Sequence, residues 1–169
     1  MTAVSNPYAA DKLIAQARQL AADYRRTMGK PLPGISNEIA GHDAVRLLGL
    51  ESSAEPGAGW DAVDPETGHR VQIKSRTIFD ENKGGERIGQ LKMNQEWDAV
   101  VLVLMDEDYE PYEIYEAMRE DLAESAGAAG SSRAKRGAMS VARFKIVGEL
   151  VWDRVNGRSR GVWDNQTGS

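Results

Sequence analysis

The sequence predicts an α/β protein in which a mixed central β-sheet is flanked by helices. Three patterns support this prediction. The run from Asp98 to Asp106 is almost continuously apolar, which indicates a central strand covered on both faces. Before it, two short apolar runs flank a turn within residues 59–76, which predicts a β-hairpin. Two amphipathic helical patterns precede that hairpin.

The first predicted helix begins at Asn6-Pro7, because Asn is a favoured N-cap and Pro a favoured first helical residue. The second runs from Ser36 or Asn37 to Leu48, and Gly49 ends it. On the first helix, apolar residues recur at helical spacing, and we expect the opposite, mostly basic face to be solvated. The apolar face is Leu13, Ile14, Ala17, Leu20, Ala21, Tyr24 and Met28, and the solvated face is Lys12, Gln16, Arg18, Gln19, Arg25 and Arg26.

The pattern after the hairpin predicts five further elements around one sheet. They are a short helix over residues 87–94, the buried strand, a strand over Tyr112–Ala117, a helix over Met118–Ala126 and a final strand over Ser140–Val151. The core residues expected on the final strand are Phe144, Ile146 and Leu150. We expect one domain over residues 1–163 and a disordered tail over residues 164–169.

The hairpin carries polar residues of chemical interest. Its turn is Pro65–Gly68, since Pro fixes φ and Gly accepts a positive φ. This loop length places Asp61 opposite Gln72, and a loop longer by one residue would shift the pairing by one position. Because side chains alternate along a strand, Gln72 and Lys74 point the same way. The result is a carboxylate, a carboxamide and an ammonium group close together on one face.

The pattern of Asp61 followed by Gln72-Ile73-Lys74 resembles the motif of the PD-(D/E)XK nuclease superfamily, which includes restriction endonucleases and Holliday-junction resolvases. Some members carry Gln-X-Lys in place of Glu-X-Lys, as this chain does. The Pro of the motif is absent here, where Trp60 precedes the Asp. The resemblance covers about residues 36–117 and implies a restriction endonuclease-like sandwich, a mixed central sheet flanked by helices.

The resemblance also implies Mg²⁺-dependent or Mn²⁺-dependent hydrolysis of DNA. Asp61 would bind the metal, and Glu38, in the helix before the hairpin, would be a second acidic ligand. Gln72 would supply a carboxamide oxygen and Ile73 its backbone carbonyl. Lys74 would activate the nucleophile or stabilise the developing negative charge. Because Gln72 replaces an acid, we expect one metal ion and not two.

Each of these residues also has a structural interpretation. An Asp at a strand start and a Lys on a strand face are usually solvated. Glu38 in a first helical turn complements the helix dipole without any further role, and His42, one turn later, is more often simply half-exposed. Two other functions therefore stay open. One is a non-catalytic module of the same fold that binds DNA or protein, and the other is an unrelated small α/β protein. Metal binding at Asp61 distinguishes the nuclease from the non-catalytic module.

Charge is unevenly distributed around a net value of −5. Residues 106–124 contain nine acids and one base, whereas residues 133–160 contain eight bases and two acids. That basic region can follow a phosphate backbone. We expect Trp152 and Trp163 to close the edge of a core rather than to stack on bases. The residues predicted to contact DNA phosphates are Arg76, Lys83, Arg133, Lys135 and Arg136.

Composition excludes several classes of site. The absence of cysteine rules out disulfides and thiolate metal sites, and two histidines are too few for a His-rich zinc site. The sequence lacks a Walker loop, a G-X-G-X-X-G motif and a Gly-X-Ser-X-Gly elbow. Asp61 and Asp64 could form a glycosidase pair, but Asp64 belongs to the turn. We find no apolar run of about 18 residues and no secretory signal pattern, so we expect a cytoplasmic protein. A homodimer stays open.

Overall fold

A computed structural model describes residues 7–53, 59–80, 85–129 and 139–159. Over these ranges the chain forms four α-helices and one mixed seven-stranded β-sheet, which confirms the predicted α/β class. The helices are α1 (Pro7–Met28), α2 (Ser36–Leu48), α3 (Arg119–Ala129) and α4 (Val141–Val147). The strands are β1 (Glu51–Ser52), β2 (Ala62–Val63), β3 (Arg70–Thr77), β4 (Ala99–Met105), β5 (Pro111–Met118), β6 (Glu149–Asp153) and β7 (Gly157–Arg158).

The seven strands lie in the sheet in chain order, so each strand pairs with its neighbours in sequence. Only β3 and β4 are parallel, and the other pairs are antiparallel. A parallel pair needs a crossover, which residues 78–98 provide. The predicted helix over residues 87–94 is wrong, since this segment is irregular. Ile88 and Leu91 are buried at a spacing of three, which resembles one helical turn in sequence, but they anchor a loop against the sheet.

Strand β4 is the centre of the core, and all seven of its residues are buried, as its continuous apolar run predicted. Its odd-numbered residues, such as Val101 and Val103, pack with α1 and α2. Its even-numbered residues, such as Val100 and Leu102, pack with α3, α4 and the crossover. Helices therefore cover both faces of the sheet at β4, and β3 pairs with β4 from Val71 to Thr77.

The region predicted as a final strand over Ser140–Val151 is instead a helix followed by a strand. The Ser140 side chain caps α4 by accepting a hydrogen bond from the Arg143 backbone N–H at 3.1 Å. Phe144 is fully buried, but Ile146 is 73% exposed, so the alternation of apolar residues was misleading. At Gly148, a Cβ would lie 2.7 Å from the Glu116 carbonyl oxygen. The helix therefore ends where its backbone meets β5.

Helix α1 packs differently from its prediction. Leu13, Leu20 and Met28 are 64%, 56% and 55% exposed, whereas the small residues Ala21 and Ala22 are buried. The expectation that Arg18 belongs to the solvated face is wrong. The Arg18 guanidinium donates two hydrogen bonds to the fully buried Asp43 of α2, at 2.8 and 2.7 Å, and one to the Tyr109 carbonyl at 2.6 Å. This interaction fixes α1 on α2 and on the β4–β5 turn.

Helix α2 follows the prediction closely. It ends at Gly49, whose φ of 66° lies in the left-handed region that glycine tolerates. Its start differs, because Ile35 occupies the N-cap position without a side-chain hydrogen bond. In the described ranges no helix has the length and apolar character needed to cross a membrane. Three predicted features lie outside the described residues: the N-cap Asn6, Trp163 and the tail over residues 164–169.

Candidate active site at the open edge of strand β3

The site is built where the hairpin strands separate. Strand β2 pairs with β3 only at Ala62 and Val63. Extending this register by one residue places Asp61 opposite Gln72, as the loop length predicted. Beyond that point, residues 73–77 pair with β4 on one side, and no described strand pairs with them on the other. The second half of β3, residues 73–77, therefore has a free edge on the side opposite β4.

Asp61 lies at the point where this open edge begins. One of its carboxylate oxygens, Oδ2, accepts a hydrogen bond from the Ile73 backbone N–H at 2.8 Å. The carboxylate thus replaces a neighbouring strand as the acceptor for that group, and its orientation is fixed. A carboxylate can accept several hydrogen bonds or bind a cation in addition. Asp61 is exposed, so it retains this capacity toward solvent or a ligand.

Three of the predicted site residues line one cleft. Asp61, Lys74 and Glu38, with Ile73, face a space of about 680 Å³ between α1, α2 and the edge of β3. Glu38 reaches this cleft because α2 is tied to β3 beside it, where the Ser75 hydroxyl donates a hydrogen bond to Asn37 Oδ1 at 2.7 Å. Residues from three separate elements therefore meet at one position.

Gln72 lies behind the cleft and not in its lining. The residue is 5% exposed, and its Nε2 donates a hydrogen bond to the Gly59 carbonyl at 2.9 Å. Its Oε1 is buried and has no hydrogen-bond partner in the described part of the chain. Gly59 itself packs tightly, because a Cβ there would lie 2.6 Å from the Glu96 carbonyl oxygen. Gln72 therefore joins β3 to the segment that leads into Asp61.

This geometry explains why an amide suits position 72. The group facing Gln72 is a backbone carbonyl, which only accepts hydrogen bonds, so the side chain must donate. An ionised carboxylate cannot donate and would leave two acceptors facing each other. The unpartnered Oε1 has a cost of about 1–3 kcal/mol for a buried acceptor. A metal, a metal-bound water or a movement of the Gly59 segment would relieve it.

Lys74 is half-buried at the edge of the cleft. Burial is the main cause that lowers its pKa below the usual value of 10.5; the nearby positive charge of Lys92 acts in the same direction, and the negative charge of Asp61 opposes both. Its Nζ lies 4.0 Å from the position that a Cβ on Gly89 would occupy. Lys74 therefore extends toward the crossover segment, and it gives up its proton more readily than an exposed lysine does.

The remaining predicted residues are less central. Arg76 forms an ion pair with Glu86 at 2.9 Å, so its charge is partly balanced. His42 does line the cleft, and its Nε2 lies 2.9 Å from Asp11 Oδ1, a contact between α2 and α1 that sequence reasoning missed. Asp64 belongs to the hairpin turn and lines a different cleft, so it does not pair with Asp61. Outside the described residues lie Lys83, Arg133, Lys135 and Arg136.

The cleft contains oxygen donors of the type that binds divalent metal ions. Within the described ranges, no group of three His, Cys, Asp or Glu side chains is arranged to hold one. Two carboxylates, of Glu38 and Asp61, do share the cleft, and the Ile73 backbone adjoins it. All of these are oxygen donors, which suit Mg²⁺ or Mn²⁺. In donor type, the residues present therefore fit a divalent ion of this kind, with two carboxylates as its side-chain ligands.

Comparison with models of known protein families finds none that matches this chain, and comparison with curated proteins finds no match either. The resemblance to the PD-(D/E)XK superfamily therefore rests on the motif residues, and it stays a prediction. The α/β class and the meeting of Asp61, Glu38 and Lys74 in one cleft hold independently of that resemblance.

Proposed function

We propose that this protein is a metal-dependent nuclease with a restriction endonuclease-like sandwich fold, and that it hydrolyses DNA phosphodiester bonds. The observation that supports this most strongly is the shared cleft of Asp61, Glu38 and Lys74, which come from a hairpin strand end, a helix and a neighbouring strand. Two acids and a lysine at the open edge of a sheet supply what phosphodiester hydrolysis needs: a cation site and a group that handles a proton or negative charge.

The acids have the first role. Asp61 and Glu38, with the backbone carbonyl of Ile73, would hold Mg²⁺ or Mn²⁺. When bound, such an ion polarises the phosphate and lowers the pKa of a bound water. The hydrogen bond from the Ile73 N–H holds the Asp61 carboxylate in one orientation before any ligand arrives. Preorganisation of this kind reduces the reorganisation needed during the reaction.

Lys74 has the second role. Because burial lowers its pKa, a larger fraction of Lys74 is neutral at a given pH than for an exposed lysine. The neutral amine takes a proton from the attacking water. The protonated form stabilises the negative charge that grows on the phosphate oxygens in the transition state. Both actions need the side chain at the edge of the cleft, where it lies.

Gln72 has a positioning role in this proposal. Its hydrogen bond to Gly59 holds the segment that leads into Asp61. The direct metal contact predicted for its Oε1 would need that buried oxygen to become accessible. With an amide here, the site has one negative charge fewer than a site with three acids, which favours one metal ion over two.

A second candidate function is a non-catalytic module of the same fold that binds DNA or protein. The small number of acids in the cleft favours it, since no group of three potential ligand side chains forms among the described residues. The two candidates differ in metal binding at Asp61. A module of this kind has no need of a divalent ion in the cleft.

The test is a cleavage assay on plasmid, linear duplex, single-stranded and branched DNA, with Mg²⁺, Mn²⁺ or EDTA. We expect wild-type protein to cleave at least one substrate only with metal, and Asp61→Asn to lose about 10²-fold or more in rate. Asparagine can still accept the hydrogen bond from Ile73, so folding should be retained. The matched control is Asp64→Asn, which removes the same charge from the same hairpin but in a different cleft. Equal cleavage rates for the two variants would contradict the proposed site. A wild-type protein that cleaves none of these substrates, with or without metal, would favour the binding module.

A further inference from the structure

The loop over residues 91–97 is held in place by hydrogen bonds from side chains to its backbone carbonyls. The Trp97 indole N–H donates to the Lys92 carbonyl at 2.8 Å. The Arg119 guanidinium donates to the carbonyls of Gln95 at 2.7 Å and Trp97 at 3.2 Å, and to that of Met93. The same guanidinium lies 4.5 Å from the centre of the Trp97 ring. The backbone at Lys92 is therefore held firmly, although its side chain is exposed.

The Lys92 ammonium is available for a ligand. Among the described residues it forms no ion pair, and neither does the ammonium of Lys74. Lys74 extends toward the crossover, with its Nζ 4.0 Å from the position of a Cβ on Gly89. Lys92 lies three residues after Gly89 in the sequence, and its charge is close enough to act on Lys74. Lys92 therefore lies within electrostatic reach of Lys74 and has no ion-pair partner among the described residues.

Several other cations in the described part of the chain differ from these two lysines. The described arginines at positions 18, 26, 70, 76, 154 and 158, and Lys145, each form an ion pair. Two like charges close together repel each other, and a bound anion relieves that repulsion. Asp61 acts as a counter-charge to Lys74, whereas no carboxylate forms an ion pair with Lys92 in the described part of the chain. The location indicates which kind of anion would bind, because Lys74 also lines the cleft that contains Asp61 and Glu38.

We propose that Lys92, together with Lys74, binds a phosphodiester of the polynucleotide backbone next to the phosphate that is cleaved. This inference rests on the proposed nuclease function and adds a substrate contact to it. Lys74 lines the cleft together with the two acids and extends toward the segment that carries Lys92, so the DNA strand would run from this cleft onto the loop over residues 91–97. The rigid loop presents Lys92 at a constant place along that path.

The test is the salt dependence of duplex binding, measured by fluorescence anisotropy with Ca²⁺ in place of Mg²⁺ so that the DNA stays intact. Each phosphate contact contributes about 0.9 to the slope of log Kobs against log salt concentration for B-DNA. We expect Lys92→Gln to reduce the magnitude of the slope by about 0.9, and Lys92→Arg to restore it. The matched control is Lys145→Gln, which removes the same charge from a lysine already paired with Glu113. We expect its slope to equal that of the wild type.

Two results would overturn this inference. One is an unchanged slope in Lys92→Gln. The other is an equal reduction in Lys145→Gln, since the effect would then reflect total charge and not a local contact. A cleavage assay with Mg²⁺ tests the proposed nuclease function independently of the Lys92 contact. A wild type that cleaves but shows no Lys92 effect would refute only the phosphate contact. A Lys92 effect on binding without metal-dependent cleavage would refute only the nuclease.

With cleavage present, we expect Lys92→Gln to raise KM and leave kcat within about threefold, because the contact is made in both ground and transition states.

Discussion

Gln72 illustrates how a single hydrogen-bond donor can decide which residue a site tolerates. Its amide donates to the Gly59 carbonyl, and Gly59 is in turn pressed against the backbone of Glu96. The side chain is almost completely buried, so water cannot replace a lost hydrogen bond easily. The amide in the motif is therefore a requirement of the local packing, and an acid at this position would meet the wrong partner.

This leads to a prediction for Gln72→Glu. Burial disfavours the charged form, so in the folded protein the pKa of the new carboxyl group should lie above its unfolded value of about 4.3. When protonated, the carboxyl group can donate to the Gly59 carbonyl, so the free energy of unfolding should be close to that of the wild type at low pH. As pH rises through the raised pKa, the variant should lose stability, and at neutral pH the loss should be about 1–3 kcal/mol.

Urea denaturation from acidic to neutral pH measures this effect. The control is Gln72→Met, which removes the hydrogen bond without adding a titrating group, so its loss should not depend on pH in this way. A Gln72→Glu protein whose stability relative to Gln72→Met stays constant with pH would contradict the structural role given to the amide.

Among the elements, α1 is held by a polar interaction in addition to part of its apolar face. Arg18 joins it to Asp43 of α2 and to the Tyr109 carbonyl, while Leu13 and Leu20 remain exposed. Tyr109 has a positive φ of 62°, unusual for a residue other than glycine, and Arg18 binds the carbonyl of this turn. The ion pair therefore holds three parts of the chain, including the α1 and α2 walls of the cleft.

We expect Arg18→Met to destabilise the protein by about 3–5 kcal/mol, because it leaves the fully buried Asp43 carboxylate with only the exposed Arg46, at 3.8 Å, as an ion-pair partner. The control is Arg26→Met on the same helix. Arg26 pairs with Asp23 and Asp108, but all three side chains are more than half exposed. This substitution should cost less than about 1 kcal/mol. Chemical denaturation gives both values.

The double variant Arg18→Met with Asp43→Leu sharpens the test. It removes both charges, so much of the loss seen in Arg18→Met should be recovered. If the two single arginine variants are equally stable, the ion pair is not what holds α1 in place.

The elements that sequence predicted well are those with strong local signals. The register of the hairpin follows from its turn residues, β4 from its apolar run, and the end of α2 from Gly49. The errors have a different cause. Arg18 looked solvated because its partner, Asp43, is distant in sequence. Phe144 and Ile146 alternated as in a strand, but the Ser140 cap decided for a helix.

The candidate site was predictable to the same extent. The hairpin brings Asp61 and Lys74 together, and the order of elements suggested Glu38. The position of Gln72 behind the cleft was not predictable, because it depends on how closely Gly59 approaches Glu96. Lys92 was missed for a related reason. Its place beside Lys74 depends on a loop that Arg119, far along the chain, holds through backbone carbonyls.

At the scale of the whole molecule, the site lies where the sheet is incomplete. Strand β3 packs against α2 on one face and pairs with β4 from Val71 to Thr77, but over residues 73–77 no described strand covers its other edge. A rigid strand with a free edge can hold reactive groups in place and still admit a long polymer. Lys74 lines the cleft with the two acids and extends toward the segment of Lys92, which makes it the residue on which the proposed chemistry depends most.

The most direct measurement is the single-turnover cleavage rate of Lys74→Ala beside the wild type, with saturating protein and Mg²⁺ or Mn²⁺ on whichever DNA the wild type cleaves. Duplex binding in Ca²⁺ and thermal unfolding are recorded for both proteins as controls for substrate contact and folding. We predict that the variant folds and retains detectable DNA binding, but that its rate falls by about 10²–10³-fold or more. A folded Lys74→Ala protein that cleaves DNA at the wild-type rate would contradict the assignment of this cleft as a nuclease site.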